Sequence, residues 1–328
     1  MSNDGDLRSF IRALPKTETH LHLEGALPFE LLQRVRPEFA RPPASWGWDY
    51  KFSDFDQFES ELLDMAFSWY NSPERYHEAA KMIFSRHLAL NVRYVETSFA
   101  SGVIEFGGLD GREVLAAIRA AVPAGLEVRV FLGVHHNGAG PKMKPVLEDA
   151  LDWKGLAGID LHGTESFPLE PWSAEYWDAA RQAGKYTKAH AGEFMGADFV
   201  RRVLDELRPQ RLEHGVRAVE DAALVTEISR QRVGLDVCPI SNHKLMPGVT
   251  LANHPIRELF DAGVMVTVST DDPLSFGNTV VDDYAALAEY RGFTRCELAQ
   301  LARNGWEVAD VDTATRRVAL AEIDRLNA

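Results

Sequence analysis

Short apolar runs rich in β-branched residues alternate along this chain with stretches whose apolar positions recur at helical spacing. The runs are "TETHLHL" (17–23), "NVRYVETSF" (91–99), "EVRVFLGVHH" (127–136) and "LAGIDLHG" (156–163). They continue with "KYTKAHAGE" (185–193), "QRLEHG" (210–215), "RVGLDVCPIS" (232–241) and "VMVTVSTDDP" (264–273). Helical patterns lie between most of them, at 112–121, 173–183, 197–207, 219–230 and 254–262. Strands that are apolar nearly throughout are buried on both faces, as in a parallel sheet covered by helices. Eight such units predict an α/β fold, a (β/α)8 TIM barrel, rather than two smaller domains. Residues 1–328 are therefore expected to form a single barrel domain.

Two regions exceed the minimal barrel. Residues 29–90 separate the first two strands and carry helical patterns near 55–70 and 73–90, preceded by the Pro- and Trp-rich "RPPASWGWDY" (41–50). An insertion after a strand lies at the mouth of a barrel, so this helical segment is expected to act as a partial lid. Near the other end, "TRCE" (Thr294 to Glu297) has the form of a capping box opening a terminal helix that packs outside.

Composition narrows the partners. The chain has 328 residues, 45% of them hydrophobic, and a formal charge of −14. An acidic surface disfavours nucleic acid or an anionic membrane and leaves room for a small ligand in a pocket. Only Cys238 and Cys296 occur, so neither a disulfide framework nor a Cys-rich zinc motif is available. The N-terminal stretch has no apolar signal core and no run long enough to span a membrane, so the expectation is cytoplasmic. Nothing in the sequence identifies an oligomeric patch, although a homo-oligomer is compatible with it.

The strands stop in ionisable residues. His20 and His22 close the first, His190 the fifth with Glu193 just beyond, His214 the sixth, and Asp271 with Asp272 the eighth. In a barrel these ends share one face, where active sites are built. Each motif alone has a bland reading. "STDDP" suits a turn, "HAGE" a helix start, and His135–His136 a pair of hydrogen-bonded loop residues. The conjunction points to a metal site. Imidazoles with one carboxylate suit zinc, with iron and nickel as alternatives. A bound divalent ion brings the pKa of its water toward neutrality, and a second imidazole and a carboxyl complete a hydrolytic site. The fourth run contains no Lys to bridge two metals, and Lys154 precedes it at the wrong end, which favours one metal per chain.

"PKTETHLHLEG", "DLHGTE", "HAGE", "LEHG", "CPISN" and "STDDP" stand in the order seen in the adenosine deaminase family of the amidohydrolase superfamily, which the chain resembles from Pro15 to about Tyr284. Thr19 departs from the family's usual apolar residue. The resemblance implies that His20, His22, His190 and Asp271 hold one Zn2+. It implies that Glu193 protonates purine N1 and that His214 orients and deprotonates the attacking water. Asp272 and the Gly163 N–H would contact N7 and N3, and His22 would also border the substrate. Glu24 follows the His-x-His pair, where members acting on plain adenosine usually carry Asp. Branches acting on adenine, or on adenosine modified at C5′, often carry Glu. "STDDPLSFGNTVVDDY" and "NVRYVETSFASG" resemble the nucleoside branches and the bacterial 6-amino-6-deoxyfutalosine deaminases. The expectation is therefore hydrolytic deamination of adenosine or an adenosine-like nucleoside. Adenine deamination is the alternative. Less favoured are a non-deaminating metallohydrolase and an inactive nucleoside-binding barrel.

Overall fold

The computed structural model describes residues 3–328. Eight strands form one sheet: β1 (Lys16–Glu18), β2 (Val92–Ala100), β3 (Glu127–His135), β4 (Leu156–His162), β5 (Tyr186–Ala191), β6 (Arg211–His214), β7 (Gly234–Val237) and β8 (Met265–Val268). They pair in parallel in sequence order, as a (β/α)8 barrel requires. The seam between β8 and β1 closes just past the strand ends. Ser269 Oγ accepts from the Thr19 and His20 N–H groups at 2.9 and 3.1 Å. The Asp271 N–H donates to the His20 carbonyl and the His22 N–H to the Asp271 carbonyl, both at 3.2 Å.

The first run is a regular strand over only part of its expected length. Beyond Glu18 it continues as isolated bridges, Leu21 with Asp271 and His22 with Ser98. The backbone here bonds to both neighbours at once, which fixes the His-x-His segment at the mouth. Thr19 faces the seam, its hydroxyl 2.8 Å from Thr267 Oγ1 and 3.2 Å from Ser269 Oγ.

The expected helices form at Phe55–Phe67, Pro73–Ala89, Gly111–Ala120, Pro171–Gln182, Ala197–Glu206, Ala222–Gln231 and Ile256–Asp261. Local chemistry marks several starts. Asp110 and Asp221 accept from the first free N–H groups, and Ser72 caps a helix with Pro73 in its first turn. The helices Asn3–Ala13, Phe29–Val35, Met143–Ala150 and Val280–Arg291 go beyond the sequence reading. No helix among the described residues is long and apolar enough to cross a membrane.

Thr294 and Glu297 do form a capping box, opening the helix Arg295–Val308. That helix lies against the outside of the seam. Asn304 Nδ2 donates to the Val266 carbonyl at 2.9 Å, and Trp306 Nε1 to the Pro15 carbonyl at 2.7 Å. Gly305 permits the approach, since a Cβ there would lie 2.0 Å from Thr17 Oγ1.

The lower interior of the barrel is charged. Lys188 on β5 pairs with Glu213 on β6, lies 3.3 Å from Glu96 on β2, and donates to the Thr19 carbonyl at 2.7 Å. Arg211 pairs with the same Glu96, which also accepts from Tyr94 Oη at 2.6 Å. Asp236 on β7 accepts from Thr267 Oγ1 at 2.8 Å. All of these side chains are buried.

Thr294→Ala removes the cap that starts the seam helix and is expected to destabilise the fold by about 1 kcal/mol. Urea denaturation should show a lower midpoint with an unchanged slope.

Candidate active site

The strand ends bring the expected residues together. Nε2 of His22 lies 3.4 Å from His20 Nε2 and 3.2 Å from His190 Nε2. Asp271 Oδ1 lies 3.3 Å from Nε2 of both His20 and His22. Metal–nitrogen and metal–oxygen bonds of about 2.0–2.1 Å place tetrahedral donor atoms about 3.3 Å apart. These four separations match neighbouring ligands of one ion.

The opposite side of each group is engaged elsewhere. His20 Nδ1 lies 3.1 Å from the Asp236 carbonyl, His22 Nδ1 lies 3.0 Å from Ser98 Oγ, and His190 Nδ1 lies 2.9 Å from the Leu161 carbonyl. Asp271 Oδ2 accepts from Ser241 Oγ at 2.7 Å. Such outer contacts hold the Nδ1 protons and turn the Nε2 lone pairs inward, as in histidine metal sites.

The field also favours a cation. Burial opposes protonation of His20, yet Glu213 and Asp271 outweigh it and lift the imidazole to about 10. His190 is likewise raised to about 9, against burial, by Asp160 and Glu213. Asp271 is held well below the usual carboxylate range: burial opposes this, and His20, His22 and His214 overcome it. This cluster of His and Asp side chains fits a metal ion.

Glu213 was not anticipated. Its Oε2 lies 3.1 Å from His20 Nε2 and 3.3 Å from His190 Nε2, and accepts no hydrogen bond. With His20, His22 and His190 it forms a second possible ligand group. In a regular strand Glu213 and His214 would face opposite sides. Here His214 has φ 63°, the left-handed region, so both reach the cluster. Asp271, with φ 69°, is turned in the same way at the end of the eighth run. Backbone in this region is stored at functional sites when the surroundings over-determine it.

Around the cluster stand the other expected groups. His214 Nε2 is 3.5 Å from Glu193 Oε2 and 3.8 Å from Asp271 Oδ2. Burial, reinforced by His20, pushes His214 well below the ordinary imidazole range, so it is neutral. Burial, together with Asp271 and Glu165, raises Glu193 well above the carboxylate range. Glu165 accepts from the backbone N–H groups of Glu193, Phe194 and Met195 at 3.0, 2.9 and 2.6 Å and so sets the turn carrying Glu193. Asp272 is raised well above its usual value by burial and then by Asp271. Its Oδ1 sits where a Cβ on Gly25 would be, 1.6 Å away. Gly163, at φ 85°, lines the same cavity.

The cavity holds about 200 Å³ and opens between the strand ends and the insertion helix Phe55–Phe67. Phe55, Phe58, Leu62 and Leu63 of that helix form an apolar wall, and no Lys or Arg is among the lining residues. Glu24 sits at the inner edge. Its Oε1 accepts from Tyr76 Oη at 2.5 Å and from the Ala100 N–H at 3.2 Å. Tyr76 belongs to the second insertion helix, Pro73–Ala89, so the insertion sets the orientation of Glu24.

Residues 15–326 match the sequence profile of the family described as adenosine deaminase. The chain belongs to the adenosine deaminase family. An adenine deaminase of Rhodopseudomonas palustris is 31% identical over 97% of this chain and 96% of its own length. One of Cupriavidus necator is 33% identical over 99% and 95%. The crystal structure of an adenine deaminase from Arthrobacter aurescens superposes with a TM-score of 0.85 at 26% identity, covering 95% of this chain and 98% of that one. The protein is thus an aminohydrolase of the adenosine deaminase family, acting hydrolytically on carbon–nitrogen bonds in cyclic amidines.

Two substitutions test this arrangement. Lys188→Met leaves Glu213 without its cation, while Glu96 and Asp236 keep Arg211, and is expected to destabilise the fold by about 3–5 kcal/mol, read by urea denaturation. Gly25→Ala must displace Asp272 and is expected to lower kcat/KM about 100-fold while elemental analysis shows metal content unchanged.

Proposed function

We propose that this chain removes the 6-amino group of adenine by hydrolysis, releasing ammonia and leaving hypoxanthine. The sequence reading leaned toward a nucleoside, with adenine as the alternative. Relatives named adenine deaminase over nearly the whole chain favour the alternative. The observation that carries the choice is the setting of Glu24. One oxygen is already committed to Tyr76 and Ala100. The carboxyl is buried, and burial raises its pKa. Glu24 lines the cavity. Free adenine has a ring N–H where a nucleoside has its glycosidic bond. A fixed buried acceptor suits that N–H better than it suits a sugar hydroxyl on a mobile C5′. The small cavity agrees, since sites for larger ligands run to about 300–1,000 Å³. A phosphate or other anionic substituent would meet Glu24 and Glu59 and no cationic side chain.

In this reading His20, His22, His190 and Asp271 would hold one Zn2+, which would supply a nucleophile by bringing the pKa of water toward neutrality. Glu193, kept protonated by burial, hands its proton to ring N1 and makes C6 electron-poor. His214 orients the attacking water. Asp272, protonated beside Asp271, donates to N7, and the Gly163 N–H donates to N3. These contacts strengthen as C6 becomes tetrahedral, which is where they lower the barrier. We take the whole chain as one barrel domain, with residues 29–90 walling its mouth.

Ammonia release from adenine, adenosine, a 5′-deoxyadenosine, 6-amino-6-deoxyfutalosine and AMP tests the substrate. Adenine should lead by about 100-fold or more in kcat/KM, the scale that misplacing a reacting group carries. Adenosine leading by a wide margin restores the nucleoside reading. Glu193→Gln should keep one equivalent of zinc and lose about 10²–10⁴ in turnover. His20→Ala should lose metal and turnover together.

A further inference from the structure

Asn242 and His254 lie outside the roles assigned above, yet both are buried directly behind the site. The hydrogen bonds between them form a chain with one consistent direction. It begins at the Ile256 backbone N–H, which donates to His254 Nδ1 at 3.1 Å. A backbone N–H has no alternative role, so His254 Nδ1 is an acceptor. Burial pushes His254 down to about 3, so the ring is neutral and its one proton is on Nε2. That Nε2–H faces Asn242 Oδ1 at 3.2 Å.

The amide orientation of Asn242 is thereby decided, because the atom facing an N–H donor must be its oxygen. Asn242 Nδ2 then faces the site with two protons and finds two partners. Glu193 Oε1 accepts at 3.0 Å, and His214 Nδ1 lies at 3.1 Å. An NH2 group donates only, so His214 Nδ1 must present its lone pair. With Nδ1 accepting, the ring's proton sits on Nε2, the nitrogen turned toward Glu193 and Asp271.

We infer that Asn242, oriented by His254, is a positioning residue that locks His214 as the Nε2–H tautomer and holds Glu193 beside it. His214 then meets the attacking oxygen as a hydrogen-bond donor. It orients that oxygen through this bond, from a ring whose direction Asn242 sets. One amide sets both groups, so their relative placement does not depend on two independent loops. This inference rests on the deaminase reading for its catalytic meaning, but the tautomer itself is a property of the protein alone.

The test is the ring 15N spectrum of the zinc-loaded protein labelled at histidine, with His214 assigned by comparison with His214→Asn. Protonated and unprotonated imidazole nitrogens are well separated. The wild type should show His214 with Nε2 protonated and Nδ1 bare. Asn242→Asp replaces the donor with an acceptor and should invert that pattern while zinc content is retained. Its kcat should fall by about 100-fold, with KM changing far less. His254→Phe frees the amide to turn and should give a mixture of tautomers. A wild-type spectrum with Nδ1 protonated overturns the inference, and so does an Asn242→Asp spectrum with the wild-type pattern. The wild-type measurement needs no variant to fold and no substrate. An enzyme that fails to deaminate adenine would leave this result standing, and the reverse also holds.

Discussion

Negative charge held away from water is the constraint around which the barrel interior is arranged. Glu96, Glu213, Asp236 and Asp271 are all buried among strand ends. Isolated, each would be neutralised by proton uptake or would cost several kcal/mol. The interior answers in two tiers. Below, Lys188 and Arg211 supply fixed cations. Above, the imidazoles of His20, His22 and His190 surround Asp271 and Glu213 at the spacing of a ligand shell. Glu213 belongs to both tiers, one oxygen on Lys188 and the other toward His20 and His190. The same field acts differently a few ångströms further out. Glu193 and Asp272 have no cation of their own, and beside Asp271 their carboxyls are pushed toward the protonated form. Carboxyls held charged and carboxyls pushed toward the protonated form are thus separated by environment, since their side chains are chemically alike.

The insertion sets the other boundary of the site. Its first long helix lays apolar side chains along the cavity, and its second sends Tyr76 down to Glu24. Tyr70 adds a bond from its hydroxyl to the Leu23 carbonyl at 2.8 Å. The short segment after the His-x-His pair is therefore gripped from the barrel side by Ser98 and Ala100 and from the insertion side by two tyrosines. Glu24 and the His-x-His pair thus share one stretch of backbone, and neither can shift without the other.

The strands were legible because barrel strands are apolar throughout, and the cluster of ionisable residues because polar residues at the ends of such strands have few other reasons to be there. His20, His22, His190, Asp271, Glu193, His214 and Asp272 meet as their strand positions implied. Glu213 was hidden by the period-two rule, which sends it away from His214 unless His214 leaves the β region. Lys188 read as one more strand residue, because its partners lie on β2, β6 and β7, distant in sequence. Asn242 was visible within "CPISN", but its orientation depends on His254 beyond the next turn. Glu24 was visible beside the His-x-His pair. Its direction was not, because Tyr76, which fixes it, lies far along the insertion.

The buried charge tier also shapes how such a sequence can change. Lys188, Glu213, Glu96, Arg211 and Asp236 form one connected set, so neutralising any member strands the others. Their effects on stability will not add. A lineage that replaces Lys188 must alter a facing carboxylate nearly in the same step, and one of those carboxylates, Glu213, borders His20 and His190. The floor of the barrel therefore restricts the histories open to the active site above it, and drift in one strand is legible as compensating change in three others.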